Sequence, residues 1–552
     1  MLKKIFNRQI DNIAVAAALI ALFSIVSRLL GIVRDRILAG RFGAGTTLDI
    51  YYAAFRIPDL IFNLIVLGAL SAGFIPIFTS LIRDCREKGE NKKIENKETK
   101  AENKEAWFLV SNILNFLILG LALLSIIGMF FAPALTKLIT PGFGPEEQAK
   151  TAALTRIMFL SPVFLGLSGV FGGILQSFKR FLVYSLAPIF YNLGIIIGVL
   201  FFVDSWGIQG LAWGVVLGAF LHFIIQVPAV YNLGFRYLFV LSWKDLNTRK
   251  IGRMMIPRTM SLAISQINLV VITIIASGLD SGSLTAFNFA NNLQSFPVGI
   301  FGISFAIAAF PILSAAANNH EKLVKHFSST IRQILFFVIP ASVLIITLRA
   351  QIVRVVLGTG NFDWRSTFMT MDALGFFALS LFAQATIPLV VRMFYVRHDS
   401  RTPFYFGLVS IVINIILSFH LGRTMGVAGL ALAFSVASIL NLVLLLTWLY
   451  VKVENLDFVR IFKASLKFGI AAIAAGLAAQ IAKVVVWPFI DMTKFSGVFV
   501  QLAVSFLVGT LMYAFFCYLF RSEEFFSLMA VLRKRLPFKK IKVEDQSEAR
   551  GL

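Results

Sequence analysis

Apolar residues along the chain come in long runs separated by short polar or Gly/Pro-containing breaks. Each run has the length, roughly 20 residues, that crosses the hydrocarbon core of a bilayer as one helix. The runs fall near 13 to 33, 50 to 82, 107 to 132, 152 to 175, 184 to 203 and 209 to 232. They continue near 254 to 278, 284 to 317, 333 to 357, 371 to 396, 404 to 421 and 427 to 451, with a last pair near 468 to 487 and 496 to 520. The pattern predicts an all-α polytopic membrane protein with about 14 transmembrane helices. Lys3, Lys4 and Arg8 precede the first run as they would in a signal peptide, but the run continues to Val33 with no clean cleavage site and reads as a retained span.

The runs also repeat. Gly207-Ile208-Gln209-Gly210-Leu211-Ala212-Trp213-Gly214 in span 6 recurs as Gly426-Val427-Ala428-Gly429-Leu430-Ala431-Leu432-Ala433 in span 12. Asn192 in span 5 matches Asn414 in span 11, and Gly68 to Pro76 in span 2 matches Gly302 to Pro311 in span 8. Six spans per repeat is an even number, so the two lobes run in the same direction, an arrangement of transporters with the substrate between the lobes. The expected organisation is an N-lobe over 1–232, a C-lobe over 233–453, a pair of further helices over 454–520 and a basic tail over 521–552.

Composition narrows the picture. The chain is 58% hydrophobic and only 14% charged, with a mean hydropathy of +0.83, so it cannot cover a water-facing surface of its size. Its 51 Lys and Arg against 28 Asp and Glu leave a net charge of +23. In a soluble protein that excess would point to nucleic acid. Here 35 of the 51 basic residues fall in the segments that share a side with both termini, which the positive-inside rule makes cytoplasmic. The excess is an orientation signal, and no nucleic-acid partner is expected. Arg83 to Ala106, with eight basic and seven acidic residues, reads as a solvated cytoplasmic loop. The tail cluster Arg533, Lys534, Arg535, Lys539, Lys540 and Lys542 reads as attraction to anionic lipid in preference to a specific partner site. Two cysteines and five histidines show no metal spacing, and no phosphate-binding Gly-rich loop occurs. No extramembrane segment exceeds about 35 residues, too few for a soluble catalytic domain. A transporter without cofactor or metal is expected, not an enzyme.

Ionisable residues at membrane depth cost about 2.5 to 3.5 kcal/mol and mark cavities or partners. They concentrate in the first two spans. Arg28, Gly31 and Asp35 share one helical face, with Arg34 beside them, and Asp49, Tyr52, Arg56, Asp59 and Asn63 form a stripe on the second. Arg34, Asp35 and Asp49 fit two readings, a cavity wall or span ends that snorkel to the interface. Arg28 and Arg56 lie deeper, and Pro58 is expected to break the helix beside Arg56. In span 8, Asn288, Asn291, Asn292 and Ser295 share a face; they could hold a sugar or peptide, or equally pack helix on helix. Spans 7 to 12 carry no carboxylate near mid-membrane, so an acid relay in the second lobe is unsupported.

These residues resemble a known family. Ser27-Arg28-Leu29-Leu30-Gly31 with Arg34-Asp35, Phe42-Gly43-Ala44-Gly45 with Asp49, Ala54-Phe55-Arg56-Ile57-Pro58, and Gly68-Ala69-Leu70-Ser71 with Phe74-Ile75-Pro76 are similar to the N-terminal signature of the MurJ (MviN) lipid II flippases. Gln294-Ser295-Phe296-Pro297-Val298-Gly299 with Gly302-Ile303, and Arg392 through Phe394-Tyr395 to Asp399-Ser400-Arg401-Thr402-Pro403, extend the likeness over essentially the whole chain. The resemblance implies the multidrug/oligosaccharidyl-lipid/polysaccharide exporter superfamily. It implies alternating-access transfer of undecaprenyl-diphosphate-linked lipid II to the outer leaflet of the cytoplasmic membrane, with spans 13 and 14 forming a groove for the lipid tail. Membrane lipids and the cell-wall synthesis machinery are the further partners it implies. Arg28, Arg34, Asp35, Asp49 and Arg56 carry over as cavity residues. Asn291 and Asn292 stand where the family commonly has Asp-Arg, and Phe62, Asn63 and Leu67 where it commonly has Arg, Arg and Glu. The cavity is therefore expected to be less cationic than its relatives'. Two alternatives stay open: export of another polyprenyl-diphosphate-linked saccharide or small molecule, and a non-transporting cell-wall scaffold.

Overall fold

The computed structural model describes residues 13–67, 73–82, 98–453 and 456–535. The Gly68 to Ser71 motif, most of the Arg83 to Ala106 loop and the tail beyond Arg535 lie outside the described residues. Among the described residues every regular element is helical. The principal helices are α1 (Ile13–Phe42), α2 (Thr46–Phe62), α3 (Glu98–Ile139), α4 (Pro145–Met158), α5 (Ser161–Ser177), α6 (Phe181–Ile197), α7 (Gln209–Ile224), α8 (Leu246–Ser277) and α9 (Ser283–Pro297). They continue as α10 (Ser304–Ala315), α11 (His320–Leu357), α12 (Trp364–Ala378), α13 (Leu381–Val396), α14 (Arg401–Met425), α15 (Val427–Lys452), α16 (Phe458–Val486), α17 (Phe495–Leu519) and α18 (Glu523–Arg535).

Ten helical segments among the described residues are long and apolar enough to cross a membrane, and α12 with α13 makes an eleventh if the pair is one span. The all-helical, multi-pass membrane fold expected from the apolar runs is what the chain adopts. The three other expected spans, the first, second and seventh, each run partly outside the described residues or side chains, and α1, α2 and α8 are their described parts. α1 carries Arg28, Arg34, Asp35, Arg36 and Arg41, a π-helical turn over Asn63–Leu67 follows α2, and α8 includes an apolar segment over Leu262–Ser277. Polar groups in a span are tolerated where they face protein or a cavity; α1 lines the cavity described below, and Arg56 of α2 bonds Thr273 of α8.

The helices group into two compact units. The first comprises Met1–Phe296, Arg349–Ser380 and Asp399–Leu445, the second Pro297–Leu348, Leu381–His398 and Leu446–Leu552. In the first unit a core of Val66, Phe74, Phe78, Leu114, Val170 and Ile174 joins the second expected span to α3 and α5. α6 and α7 touch backbone to backbone: a Cβ on Gly198 would lie 2.3 Å from Gly214 Cα, and one on Gly194 2.3 Å from Gly218 Cα. Spacing small residues four apart on both helices permits this approach, which lipid tails alone do not drive.

The repeat is visible in backbone geometry. Gly207 (φ +55°, ψ −142°) precedes α7 and Gly426 (φ +61°, ψ −139°) precedes α15, nearly the same conformation, one that glycine adopts at little cost. The π turns at Asn63–Leu67 and Val298–Ile303 also begin at corresponding positions of the two repeats.

In the second unit α16 and α17 pack through small side chains, with Gly509 opposite the carbonyl of Ala475. Their outer faces present Ile470, Leu477, Ile481, Phe506 and Leu511 to the surroundings, each about half exposed or more. Such faces are stable against hydrocarbon, not water. Phe336 of α11 packs against Phe468 and Tyr513, and the Tyr513 hydroxyl donates to the Phe336 carbonyl at 2.7 Å. Helix α18 is fastened by charge. Arg332 bonds Glu524 and, at 3.1 Å, Glu523, and Arg460 bonds Glu523 at 2.7 Å. Hydrogen bonds from Arg460 and then Arg332 hold the Glu523 carboxyl below the usual glutamate range. Its small contribution is complete above that range and is lost as pH falls through the depressed value.

Arg332 and Glu524 are both buried, so removing one leaves the other's charge stranded. Arg332→Ala should destabilise the protein by about 3 to 5 kcal/mol, whereas the paired change Arg332→Met with Glu524→Met should recover most of that loss. Thermal melting in detergent micelles checks both.

Candidate functional site

Helix α1 is rich in Ala, Leu and Ile, has no proline, and ends at Gly43, whose φ of +66° allows its N–H to close on the Ala39 carbonyl at 2.8 Å. A Cβ at Gly43 would lie 2.6 Å from the Asn361 carbonyl oxygen, so the turn also needs glycine for space. The helical periodicity places Ser27, Arg28, Gly31, Arg34 and Asp35 along one side, where they line a cavity of about 230 Å³ together with Asn192, Asn292 and Ser295.

Asp35 is the hinge of this cluster. Arg34 grips its Oδ1 side-on, with Nε at 3.0 Å and Nη2 at 2.8 Å, and Asn292 of α9 donates to Oδ2 at 2.8 Å. On its other edge Arg34 Nη1 donates to Asn192 Oδ1 of α6 at 3.1 Å. Arg28 lies on the cavity wall with a long contact, 3.4 Å, to the Ser295 carbonyl. Two guanidinium groups against one carboxylate leave the cavity with one net positive charge, a setting for an anion. Its volume is below the roughly 300–1,000 Å³ of sites that enclose a drug-sized ligand. In this conformation it has room for an anionic group but not for a glycopeptide.

The other predicted residues lie beside this cavity. Arg56 donates through Nε to Thr273 Oγ1 at 2.8 Å and through Nη2 to Asn288 Oδ1 at 2.9 Å, joining α2 to α8 and α9. Asp49 is buried and fully occupied. Its Oδ2 accepts the Gly282 N–H at 2.6 Å, and its Oδ1 accepts the Thr285 N–H at 2.8 Å and hydroxyl at 2.6 Å, so it caps the first turn of α9. Gly282, at φ +91°, would carry a Cβ 2.1 Å from the Ala44 carbonyl oxygen. Asn291 is turned along its own helix, accepting from Gln294 at 3.0 Å.

The expected break at Pro58 does not occur: α2 runs through it, and the irregular turn begins five residues later at Asn63. Proline removes the N–H that would reach the Ala54 carbonyl; the Thr155 hydroxyl lies 3.4 Å from that oxygen, with its shorter bond, 2.8 Å, to the Thr151 carbonyl. Asn192 escaped the sequence reading as a site residue because it stood out there only as a repeat marker. A single amide inside the apolar run of span 5 was the available signal.

Residues 38–530 match the family described as Lipid II flippase MurJ. The chain belongs to this family. It is similar to a probable lipid II flippase MurJ of Buchnera aphidicola subsp. Acyrthosiphon pisum, at 30% identity over 78% of this chain and 82% of that one. A probable lipid II flippase MurJ of Vibrio cholerae serotype O1 is 28% identical over 79% and 82% of the two chains. Among solved structures, a lipid II flippase MurJ in an inward closed conformation superposes with a TM-score of 0.74 at 25% identity, covering 93% of this chain and all of the other. An inward-facing multidrug resistance MATE family transporter shares the fold, at TM-score 0.63 and 16% identity over 78% and 95% of the chains.

Departures from the MurJ pattern have visible surroundings. Asn292, at a position where the family commonly has a charge, sits on the cavity wall and satisfies Asp35 as a neutral donor. Phe62 packs on the apolar core of the first unit, and Asn63 donates to its own helix at the Asp59 carbonyl, 2.8 Å away.

Tyr52 sits on α2 between Asp49 and Arg56. Its ring stands edge-on to Tyr51 and Phe289, and its buried hydroxyl has no hydrogen-bond partner among the described residues. An unsatisfied buried hydroxyl costs about 1 to 3 kcal/mol. Tyr52→Phe should therefore raise the melting temperature or leave it unchanged; a marked fall in a detergent melt would contradict this.

Proposed function

We propose that this chain moves lipid II from the cytoplasmic to the outer leaflet of the cytoplasmic membrane by alternating access, as a transporter and not an enzyme. The observation that carries the reading is the Arg28–Arg34–Asp35 cavity within a chain of the MurJ family. A diphosphate is a compact anion whose oxygens match the planar fork of arginine, and charge-assisted bonds gain strength away from bulk water. Arg28 and Arg34 are the diphosphate ligands in this reading. Asp35 balances Arg34 while no substrate is bound, and Asn292 holds Asp35 in place. Arg56 supports the wall through Thr273 and Asn288.

The distribution of Lys and Arg supports cytoplasmic termini, which puts the α1–α2 turn, Gly282 and Asp49 on the outer side. Asp49 then acts as a latch between the first repeat and the second. Its bonds to Gly282 and Thr285 close the outer end and must break when the cavity opens outward. The N-lobe (1–232) and C-lobe (233–453) are the rocking bodies, and the apolar outer faces of α16 and α17 offer a surface for the polyprenyl tail. Membrane lipids and the cell-wall synthesis machinery complete the expected partners.

The test replaces a bacterium's flippase with this protein and follows surface exposure of labelled lipid II. The intact sequence should sustain exposure, and Arg28→Ala or Arg34→Ala should each reduce it at least tenfold at equal membrane abundance. Arg34→Lys, which keeps the charge and loses the fork, should fall between. Exposure at the wild-type level in both alanine variants would sink the ligand assignment, and no exposure with the intact chain would sink the flippase reading.

A further inference from the structure

The cavity wall includes one group that the charge-based reading does not use. Asn192, in the middle of α6, is buried and makes four contacts, the longest at 3.5 Å to the Ser27 hydroxyl. Its Oδ1 accepts from Arg34 Nη1 at 3.1 Å, and its amide nitrogen donates to the Pro188 carbonyl at 3.1 Å and the Ser27 carbonyl at 3.4 Å. The amide is thus oriented by its own helix and by α1, and presents its oxygen to the guanidinium. Pro188 stands on the same helix four residues before Asn192.

The repeat supplies an internal comparison. Asn414 of α14, which matches Asn192, donates to Asn268 Oδ1 of α8 at 2.7 Å, with the Ser418 hydroxyl at 3.4 Å. In both repeats the asparagine ties the fifth span to the first span of the same repeat. In the second repeat the cluster is neutral and buried, a packing contact between helices. In the first repeat the same contact ends on an arginine that lines a cavity. A structural tie common to both halves has there become part of the anion site.

We propose that Asn192 is the positioning residue of that site: a neutral acceptor that aims Arg34 into the cavity without cancelling its charge. This rests on the diphosphate reading above. An arginine has five N–H donors. Nε and one hydrogen of Nη2 go to Asp35 and one hydrogen of Nη1 to Asn192. Two hydrogens, one on each terminal nitrogen, are left for an anion. A carboxylate at 192 would aim the fork equally well but would face Arg34 with a second negative charge. An apolar side chain would leave Arg34 charged but free to turn. Only an uncharged acceptor does both jobs, and that separates positioning from packing.

The experiment measures lipid II binding to the full-length protein in lipid nanodiscs for five variants. Asn192→Ala should weaken binding about threefold to fivefold. Asn192→Asp, nearly the same shape, should weaken it more, by about tenfold or greater. Asn414→Asp, the same change at the neutral twin, should stay within about twofold of the wild type. In an Arg34→Ala background, adding Asn192→Ala should have no further effect, because the group it aims is gone. A packing role alone predicts the opposite order, with the isosteric Asn192→Asp tolerated better than Asn192→Ala and the alanine penalty unchanged without Arg34. Either result overturns the proposal while lipid II binding by the wild type upholds the flippase reading. Failure of the wild type to bind lipid II overturns both. If Asn192→Asp does not fold, the alanine cycle with Arg34→Ala decides the question by itself.

Discussion

The first compact unit depends on keeping guanidinium charge away from bulk water without neutralising all of it. The Arg34–Asp35 pair meets that constraint. One carboxylate takes two donors from Arg34, and its second oxygen is held by Asn292, so the ion pair draws three helices, α1, α6 and α9, to one point. Burying either partner alone would cost several kcal/mol. Side-on pairing removes most of that penalty, and adjacent positions on one helix remove most of the entropy of bringing the partners together. The rest of the unit reads as consequences: glycine-lined contacts that let α6 approach α7, and a glycine turn after α1 that sends the chain back as α2.

How much of this was legible in the sequence follows from what each feature depends on. Apolar runs depend only on the bilayer as solvent, so the helical, multi-pass fold could be read directly. The repeat could be read too, because Gly207 and Gly426 occupy the same unusual backbone conformation and their neighbours recur with them. Arg28, Arg34 and Asp35 declared themselves as charges in an apolar run. Asn192 did not, because its importance lies in a partner 158 positions away, and one amide in a span is equally a packing residue. Pro58 misled for a related reason. A proline inside a helix removes one bond and crowds one carbonyl, but the helix continues through it to Phe62, with the Thr155 hydroxyl of a distant segment 3.4 Å from the freed oxygen.

Asp49 shows the same principle with the opposite outcome. On the sequence it was either a cavity charge or a snorkelling span end, and its surroundings fit neither description. Both oxygens are consumed by the first turn of α9 and by the Thr285 hydroxyl. A carboxylate at a helix N-terminus is stabilised there by unpaired N–H groups, so Asp49 can remain buried without a cation. The same bonds hold residues of the first repeat to the start of span 8, with Thr46 and Ser281 hydroxyls in contact at 2.7 Å alongside. The fastening is strong in place, yet hydration of this end of the helices could exchange each of its bonds for water.

The neutral amides at 291 and 292 have a consequence for the transport cycle. An additional arginine on the wall would hold a diphosphate more tightly, but a transporter gains nothing from tightness that is equal in both facing states, since release must follow capture. With Asn292 as donor, Asp35 is held by a bond that costs little to break, and Asp35 needs no second cation to stay buried. On the diphosphate reading, an incoming anion meets the Arg34 hydrogens that Asp35 and Asn192 leave open, while Asp35 keeps its neutral partner on α9. Neutral amides at positions 291 and 292 add no charge for burial to balance. On the proposed reading, a wall of one net positive charge lets release follow capture.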